Sequence, residues 1–457
     1  MFILGQPQGQ LIAAAGPERM TPLADSLLQI LAPWRQASAW RVAFSGGLDS
    51  TVLLHLLTSL ARQHCLPALS AIHVHHGLQQ AADAWPQHCQ QVCDALGVPL
   101  QVVRVQVPAG ASLERAARDA RYSTFEQSLA SDELLLLAQH RDDQAETLLF
   151  RLLRGAGVRG LAAMPRCRPL GRGHLLRPLL DVPRAELERY AAEHRLDWVD
   201  DPSNSDHHYS RNYLRHQVMP VLQSRWPQAA ASLARSAAHL GEAQGLLGEL
   251  ASMDLRAAEQ DRNPPWLPLP TLALAPLREL SAARQRNALS HWLARFTRLP
   301  DTDHWAGWET LRDAKDAALP IWRLADGELH RGRTNLWWLS GAWLQPVGQG
   351  AEWHAPQQPL CLPDNGHVAF SGSVPDGPLS IRYRLGGEVM HLGDRGHRDL
   401  KRLLNEAGVP AFVRGRLPLL YRREQLLAVA NLPMAGTNAR GAWQLHWRPP
   451  TSDQGLS

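Results

Sequence analysis

The most chemically specific stretch of this 457-residue sequence is the turn SGGLDS, which follows the apolar run RVAF and precedes a helical pattern. Gly46 and Gly47 let the backbone take positive φ angles and approach a ligand closely. Ser45 and Ser50 add hydroxyl groups, and the helix that begins near Asp49 points its unpaired N–H groups at an anion held in the turn. The spacing therefore predicts a phosphate site.

Asp49 makes this predicted phosphate site unusual. A Walker A loop continues with Gly-Lys-Ser/Thr, whose lysine reaches the β and γ phosphates, whereas Leu48 and Asp49 stand at that place here. A carboxylate is compatible with phosphate when it acts through a metal, so we expect Asp49 to hold Mg²⁺ bound to the pyrophosphate end of ATP. The simpler alternative is that Asp49 caps the helix and the glycines form only a tight turn.

Three histidines lie in or next to the predicted strand LSAIHVHHGL. The strand period of two places His73 and His75 on one face and His76 at the carboxyl end. A zinc site would need a fourth ligand at a usual spacing, which the sequence lacks. Nucleotide or substrate contact at the sheet edge is favoured, and core packing is an alternative for His73.

A pair of carboxylates follows the next strong strand signal, in LLLLAQHRDDQAETLLF. The strand ends at His140, and a helix begins with Asp142 and Asp143. Acids in a first helical turn are ordinary capping and dipole chemistry. However, Asp143 and Glu146 are three residues apart and share one helix face at the carboxyl end of a strand, which suits them to bind an ammonium group.

Two further segments supply arginines. In ASLERAARDARYSTF, Glu114, Arg118, Arg121 and Tyr122 lie at three- and four-residue steps along one side of a predicted helix. That spacing fits either surface ion pairs or phosphate binding. The loop DDPSNSDHHYSRNYLR crowds polar residues, Arg211 among them, ahead of another helix, and it is weak evidence when taken alone.

These motifs sit on a regular alternation of strands and helices. From Arg41 to about Asp201, the runs RVAF, LSAIHVHH, LQVVRV, ELLLLAQ and LDWVD alternate with helical patterns, which predicts a parallel sheet with ligands at the carboxyl ends of its strands. Residues from about 228 to 316 show helical spacing, and a β-hairpin with a turn at Asp326-Gly327 follows. A stretch rich in Pro, Gly and Gln then leads to a compact basic module.

Composition excludes several classes of protein. No run approaches the ~18 apolar residues of a membrane span, and the N-terminus lacks the basic start of a secretory signal. Five scattered cysteines without a CxxC pair are typical of reduced thiols, so we expect a cytoplasmic protein. Net charge is only +4, but residues 379–450 hold twelve Lys or Arg against five Asp or Glu. That excess is typical of a surface that faces nucleic acid, with a solvated basic face as the alternative.

SGGLDS resembles the PP-loop of the N-type ATP pyrophosphatases, which cleave ATP between the α and β phosphates and transfer AMP to a carbonyl oxygen. A wider resemblance, to the tRNA(Ile)-lysidine synthetase family, covers essentially the whole chain. It rests on SGGLDST, HVHHGL, LERAARDARY, HRDDQAET, RGAGVRGLAAMP, DDPSNSDHHYSRNYLR and the C-terminal RYRLGGEVMHLGDRGHRDLKRLLNEAGVPAFVRGRLPLLY.

The wider resemblance implies an α/β architecture in several parts. These are a Rossmann-like, parallel-sheet PP-loop ATPase domain (1–225), a helical tRNA-recognition middle domain (226–345), a linker (346–378) and a small, basic α+β tRNA-binding domain (379–450). It also implies a two-step reaction on the wobble cytidine of an isoleucine tRNA with a CAU anticodon. ATP adenylates the C2 carbonyl oxygen, and the ε-amine of free L-lysine then displaces AMP to leave lysidine. Dimerisation through the N-terminal domain is implied as well.

Roles for single residues follow from the motifs and the resemblance together. Asp143 and Glu146 are expected to bind the lysine amine or accept its proton, and Arg118 and Arg211 to neutralise phosphate charge in the transition state. Asp49 is the expected Mg²⁺ residue. The expected ATP-binding residues are Ser45, Gly46, Gly47, Leu48, Asp49, Ser50 and His75. The expected tRNA contacts are Arg382, Arg384, Arg395, Lys401, Arg402, Arg414 and Arg416.

Other classes of protein share parts of this pattern. A PP-loop tRNA thiolase adenylates the same kind of carbonyl but delivers sulfur, and the absence of CxxC disfavours it. GMP or NAD synthetase would share SGGLDS without the basic C-terminal module. A non-catalytic RNA-binding protein would explain that module but not the acids after His140.

Overall fold

The computed structural model describes residues 21–77, 83–107, 113–206, 208–259, 263–300, 303–315, 318–391, 396–432 and 443–451. The chain divides into two compact units, Met1–Gly245 and Leu246–Ser457, and the division falls inside one long helix. Within the described ranges, no helix is long and apolar enough to cross a bilayer.

The first unit is built on a six-stranded sheet in the order β3-β2-β1-β4-β6-β5. Neighbouring strands are parallel except β5 and β6, which pair antiparallel. The predicted parallel α/β sheet is therefore confirmed, with one antiparallel strand at its edge. The strands are β1 (Trp40–Ala43), β2 (Leu69–His75), β3 (Leu100–Arg104), β4 (Leu134–Leu136), β5 (Cys167–Leu170) and β6 (Gly173–Leu176).

Helices pack on both faces of this sheet. Leu134 and Leu136 of β4 belong to one apolar cluster and Leu135 to another, as expected of a strand buried on both sides. The helices are α1 (Pro22–Leu31), α2 (Leu48–Gln63), α3 (Trp85–Leu96), α4 (Leu113–Ser128), α5 (Arg141–Leu152), α6 (Val158–Leu161), α7 (Arg184–Glu193), α8 (Ser210–Tyr213), α9 (Met219–Arg225) and α10 (Ala229–Leu255), which contains the division.

The prediction of a fifth strand at LDWVD is wrong. Residues 196–200 form no strand, and β6 occupies the place beside β4 instead. The backbone N–H of Val199 donates to the carbonyl of Gly46 at 2.9 Å. The segment thus hydrogen-bonds to the glycine turn after β1, and its apolar residues mimic a strand pattern without joining the sheet.

The second unit begins with helices and a four-stranded antiparallel sheet in the order β7-β10-β9-β8. The predicted hairpin is confirmed as β8 and β9, although its two loop residues are Ala325 and Asp326 because Leu324 pairs with Gly327. The elements are β7 (Thr271–Ala273), α11 (Leu274–Arg278), α12 (Ala282–Leu293), α13 (Ala306–Asp313), β8 (Ile321–Leu324), β9 (Gly327–Arg331) and β10 (Asn335–Leu339).

The rest of this unit forms three small antiparallel sheets, β11-β14-β17-β18, β12-β13-β19 and β15-β16. The strands and helices are β11 (Ala351–Trp353), β12 (Leu360–Cys361), β13 (His367–Ser371), β14 (Leu379–Arg382), β15 (Val389–His391), β16 (His397–Asp399), α14 (Leu400–Glu406), α15 (Ala411–Arg414), β17 (Leu419–Arg422), β18 (Gln425–Val429) and β19 (Gln444–Arg448).

The segment 346–378, expected as a linker, needs a correction. It contains β11, β12 and β13, of which β11 pairs with β14 and β13 with β19. These strands are two to five residues long, too short to give a clear alternation amid the Pro and Gly residues around them. The segment is therefore part of the folded second unit.

Arg416 organises the inside of this unit. Its side chain is buried, with 6% exposure. Its guanidinium donates to the carbonyls of Ala342, Trp343, Gln345 and Asp364 and to Oδ1 of Asn365, at 2.6 to 3.2 Å. The arginine thereby satisfies backbone oxygens from two segments that would otherwise be buried without donors.

We expect Arg416→Met to lower the free energy of unfolding by at least about 3 kcal/mol, because several buried carbonyls would lose their donors together. Urea unfolding followed by tryptophan fluorescence measures the change. Arg402→Met is the control, since Arg402 is exposed and its ion pair is with Glu406 on the same helix. Equal effects of the two substitutions would contradict the structural role of Arg416.

Candidate active site

The glycine turn between β1 and α2 is closed by hydrogen bonds among its own residues. The hydroxyls of Ser45 and Ser50 are 3.0 Å apart, and Ser50 donates to the carbonyl of Gly47 at 3.0 Å. Gly47 is the N-cap of α2 and supplies no side-chain cap to the first-turn N–H groups. Both hydroxyls are thus engaged in shaping the turn, and the backbone N–H groups at the start of α2 face the space where an anion would lie.

Gly46 is required by its backbone conformation and its surroundings. Its φ is +84°, and a Cβ atom there would lie 2.9 Å from the Sγ of Cys89. Cys89 itself is buried on α3 and contacts Nδ1 of His73 at 3.4 Å. Any larger residue at position 46 would both strain the backbone and push the turn away from α3.

Asp49 lies beside this turn with one oxygen unpartnered. Its Oδ1 is buried and has no hydrogen-bond donor among the described residues, and its Oδ2 is 3.7 Å from Nε2 of His140. Burial raises the pKa of Asp49, Asp143 raises it further, and the His140 charge opposes both. An unpartnered carboxylate oxygen next to a phosphate site is the donor that Mg²⁺ prefers, so this residue fits the metal expected from the sequence.

His140 connects the turn to the acids of α5. Its ring is fully buried, and Nε2 lies 3.4 Å from Oδ2 of Asp143 while Nδ1 lies 3.7 Å from Oδ2 of Asp142. Burial alone would lower the pKa of His140, but Asp142, Asp143 and Asp49 outweigh burial and raise it. His140 also begins α5, where its backbone N–H donates to Asp143 at 3.1 Å.

The side chains of Asp143 and Glu146 are held by two arginines. Arg211 contacts Oδ1 of Asp143 at 3.0 Å and Oε2 of Glu146 at 3.1 Å. Arg215, one helical turn further on, contacts Oδ1 of Asp143 at 2.9 Å and both oxygens of Glu146 at 2.7 and 3.0 Å. All four carboxylate oxygens therefore have hydrogen-bond partners, since Oδ2 of Asp143 accepts from the backbone of His140.

The charges in this group favour the ionised form of Asp143. Burial alone would raise the pKa of Asp143, but His140, Arg211 and Arg215 together lower it. The same acids raise the pKa of Arg215, against the effect of its burial. We call His140, Asp143, Glu146, Arg211 and Arg215 the acid–arginine network, and Asp49 joins it to the turn.

The structure brings four residues predicted from the sequence, Asp49, Asp143, Glu146 and Arg211, into one cluster. The cluster also contains His140 and Arg215, to which the sequence analysis gives no role. Two signals would have found them. His140 ends a strand directly before the acids, and the four-residue step from Arg211 to Arg215 places both guanidinium groups on one face of a helix.

The remaining predicted residues of the first unit lie outside this network. His75 is buried and lies 3.3 Å from Asp83, while His73 bonds to the carbonyl of Phe44 and packs in the core. Burial, with the Arg121 charge, lowers the pKa of His76 to about 4. Arg118 is exposed and lies with its guanidinium 4.9 Å from the centre of the Tyr122 ring.

The predicted C-terminal cations differ in how accessible they are. Lys401 and Arg402 are exposed on α14, and Arg382 and Arg384 pair with Glu424 and Glu388. Arg414 is half-buried and donates to Val409 and Asn405. Arg416 is buried, so its donors are not available to an RNA, and Arg395 lies outside the described residues.

Three family models match the chain. They are a PP-loop domain over residues 20–222, a TilS substrate binding domain over residues 272–337 and a TilS substrate C-terminal domain over residues 379–447. With the parallel sheet and the glycine turn at the end of β1, the first match defines the class: this is an ATP-using PP-loop protein.

Relatives then identify the family. The tRNA(Ile)-lysidine synthase of Pseudomonas fluorescens (strain Pf0-1) is 66% identical over 434 residues, which cover 95% of this chain and 98% of that protein. The synthase of the same name from Alkalilimnicola ehrlichii is 44% identical over 90% of this chain and 93% of that protein. The chain belongs to the tRNA(Ile)-lysidine synthase family, which confirms the resemblance drawn from its motifs.

The raised pKa of His140 makes stability depend on pH in a specific direction. In the unfolded chain His140 titrates near its ordinary value of 6.5, so its charge stabilises the fold fully below that pH, and this contribution is lost as pH rises through the higher folded pKa. We expect the difference in unfolding free energy between wild type and His140→Gln to shrink as pH rises above 6.5. Chemical unfolding across this range measures it, and parallel profiles for the two proteins would contradict the assignment.

Proposed function

We propose that the protein joins free L-lysine to C2 of the wobble cytidine in isoleucine tRNA with a CAU anticodon, through an adenylated tRNA. The C2 carbonyl oxygen attacks the α phosphate of ATP and pyrophosphate leaves. The ε-amine of lysine then forms a bond to C2, AMP departs with the oxygen, and the amine loses a proton. The observation that carries this function is the identity of 66% over nearly the full length of a tRNA(Ile)-lysidine synthase.

The glycine turn is the proposed pyrophosphate site. It consists of residues Ser45 to Ser50, and the first N–H groups of α2 can bind an anion there. A reaction that releases pyrophosphate does not need the lysine that contacts the γ phosphate in a Walker A loop. Mg²⁺ held by Asp49 would supply positive charge to the departing pyrophosphate. His75 is kept as a proposed nucleotide contact because it ends β2, the strand beside β1.

Asp143 and Glu146 are the proposed lysine-binding residues. An ammonium group resembles the guanidinium donors that now contact both acids, so lysine binding would replace contacts of one arginine with contacts of the amine. Arg211 has two hydrogen bonds to the acids and Arg215 has three, and Arg211 is the more exposed. We infer that Arg211 is the arginine that exchanges. Once released, it can neutralise phosphate charge together with Arg118.

Residues 226–345, most of which belong to the second unit, and the basic domain at 379–450 are proposed to bind the body of the tRNA. Arg382, Arg384, Lys401, Arg402 and Arg414 stay candidates for phosphate contacts, which set affinity and register but not sequence. Arg416 is no longer a candidate for RNA contact, because its guanidinium donates hydrogen bonds inside the fold. Arg395, dimerisation through residues 1–225 and a cytoplasmic location remain proposals from the sequence.

Incubation with ATP, labelled lysine and unmodified isoleucine tRNA(CAU) tests this function, with elongator methionine tRNA as the control substrate. We expect lysine incorporation into the first tRNA only, with release of AMP and pyrophosphate. Asp143→Asn should lower incorporation by about 10²-fold or more, because the amine loses a charged partner and proton acceptor. Glu188→Gln removes an exposed carboxylate that pairs with Arg184 and should leave incorporation unchanged. Sulfur incorporation, or no AMP release, would reject the proposal.

Substitution of the two arginines separates their roles. Arg211→Gln should lower kcat by about 10²-fold through lost charge stabilisation, while the KM for lysine stays within about threefold because Arg215 still holds the acids. Arg215→Gln should instead lower the free energy of unfolding by about 2 kcal/mol, because it leaves Glu146 buried with fewer donors. Steady-state kinetics and urea unfolding measure both. Indistinguishable effects of the two variants would refute the exchange.

A further inference from the structure

Three arginines of the first unit contact Tyr122 and a fourth, Arg121, precedes it on α4. None of the four has a carboxylate partner among the described side chains. The guanidinium groups of Arg118 and Arg168 lie 4.9 and 5.3 Å from the centre of the Tyr122 ring. The phenol oxygen accepts from Arg118 and Arg177, each at 3.4 Å. Arg121 lies on α4 directly before Tyr122 and three residues after Arg118, so the two arginines share one side of that helix. Burial lowers the pKa of Arg121, and the charges of Arg118 and Arg211 lower it further.

These arginines differ in how firmly the fold holds them. Arg177 is 3% exposed and donates to Gln139 and to the carbonyl of Pro165. By contrast, the guanidinium of Arg168 donates one hydrogen bond within the described residues, to the carbonyl of its neighbour Pro169. Arg121 has no hydrogen bond or ion pair within the described part of the chain. Arg177 serves the fold, whereas Arg118, Arg121 and Arg168 have donors left for a ligand.

The position of this cluster selects the kind of ligand. Arg168 lies on β5 opposite Leu175 of β6, near the edge of the sheet where the parallel strands end. However, β5 is three strands from β1, or roughly 14 Å at the usual strand spacing. Phosphates seated on the glycine turn are thus displaced from Arg168. A polymer with regularly spaced phosphates can reach both places.

We propose that Arg121 and Arg168, next to Arg118, form a binding subsite for phosphodiester groups of the substrate tRNA, and that Tyr122 positions Arg118 and Arg168. This inference rests on the proposed function, since it takes the tRNA as the polyanion. Like charges this close repel each other, and a bound RNA backbone relieves that repulsion. The ring of Tyr122 holds two guanidinium groups by cation–π contact and so fixes their positions next to each other.

Arg168→Gln and Arg121→Gln test the subsite, with Arg172→Gln as the matched control. Arg172 is an exposed arginine in the turn between β5 and β6, so its substitution removes the same charge close by. Fluorescence anisotropy with unmodified tRNA, over a series of KCl concentrations, measures Kd without ATP or lysine. We expect each test variant to raise Kd about five- to tenfold and to reduce the slope of log Kd against log salt by about one. The control should change Kd by less than about twofold.

Tyr122 variants separate positioning from folding. Tyr122→Phe keeps the ring and should change Kd less than Tyr122→Leu, which should match Arg168→Gln in both Kd and salt slope. Unchanged Kd and slope in Arg168→Gln and Arg121→Gln would overturn the subsite, as would a raised KM for ATP with normal tRNA binding. Because binding is measured without turnover, it stays readable even if wild type incorporates no lysine, an outcome that would reject only the proposed function.

Discussion

Two buried carboxylates that share two arginine partners set the constraint on which the rest of the site depends. Asp143 and Glu146 lie at the start of α5, where burial alone would favour the neutral form of Asp143. Two arginines and His140 supply the compensating charge. The helix start at His140, the short helix α8 and the π-helical turn Leu214–Val218 that follows it are what bring these groups within hydrogen-bonding distance.

This arrangement joins two sites that the sequence presents separately. The phosphate turn follows β1 and the acids follow β4, and these strands are adjacent and parallel in the sheet. Their carboxyl ends therefore meet, and Asp49 and Asp143 both approach Nε2 of His140, at 3.7 and 3.4 Å. Adenylation takes place at the C2 oxygen of the cytidine and amine attack at C2 itself, so a fold that puts both sets of groups at one edge suits a two-step reaction.

The sequence predicted the parts of this protein that depend on local pattern. The glycine turn, the acids after His140 and most strands could be located because their signals are short and contiguous. It could not show that LDWVD bonds to the turn, because that depends on which strand occupies the place beside β4. The count of basic residues likewise could not separate Arg416, whose guanidinium satisfies backbone oxygens inside the fold, from Lys401 on the surface. Arg215 has the same partners as Arg211, and only the four-residue step between the two arginines, not the sequence around Arg215, indicates that they act together.

The hydrogen bond from the backbone N–H of Val199 to the carbonyl of Gly46 makes the Val199 amide sensitive to the conformation of the phosphate turn. The segment that contains Val199 leads into the residues before α8, which carries Arg211. An opening of the turn that breaks this bond exposes one amide hydrogen to solvent exchange. The hydrogen-exchange rate of the Val199 amide therefore reports how often the phosphate turn opens. It can be measured in the unmodified protein without any bound ligand.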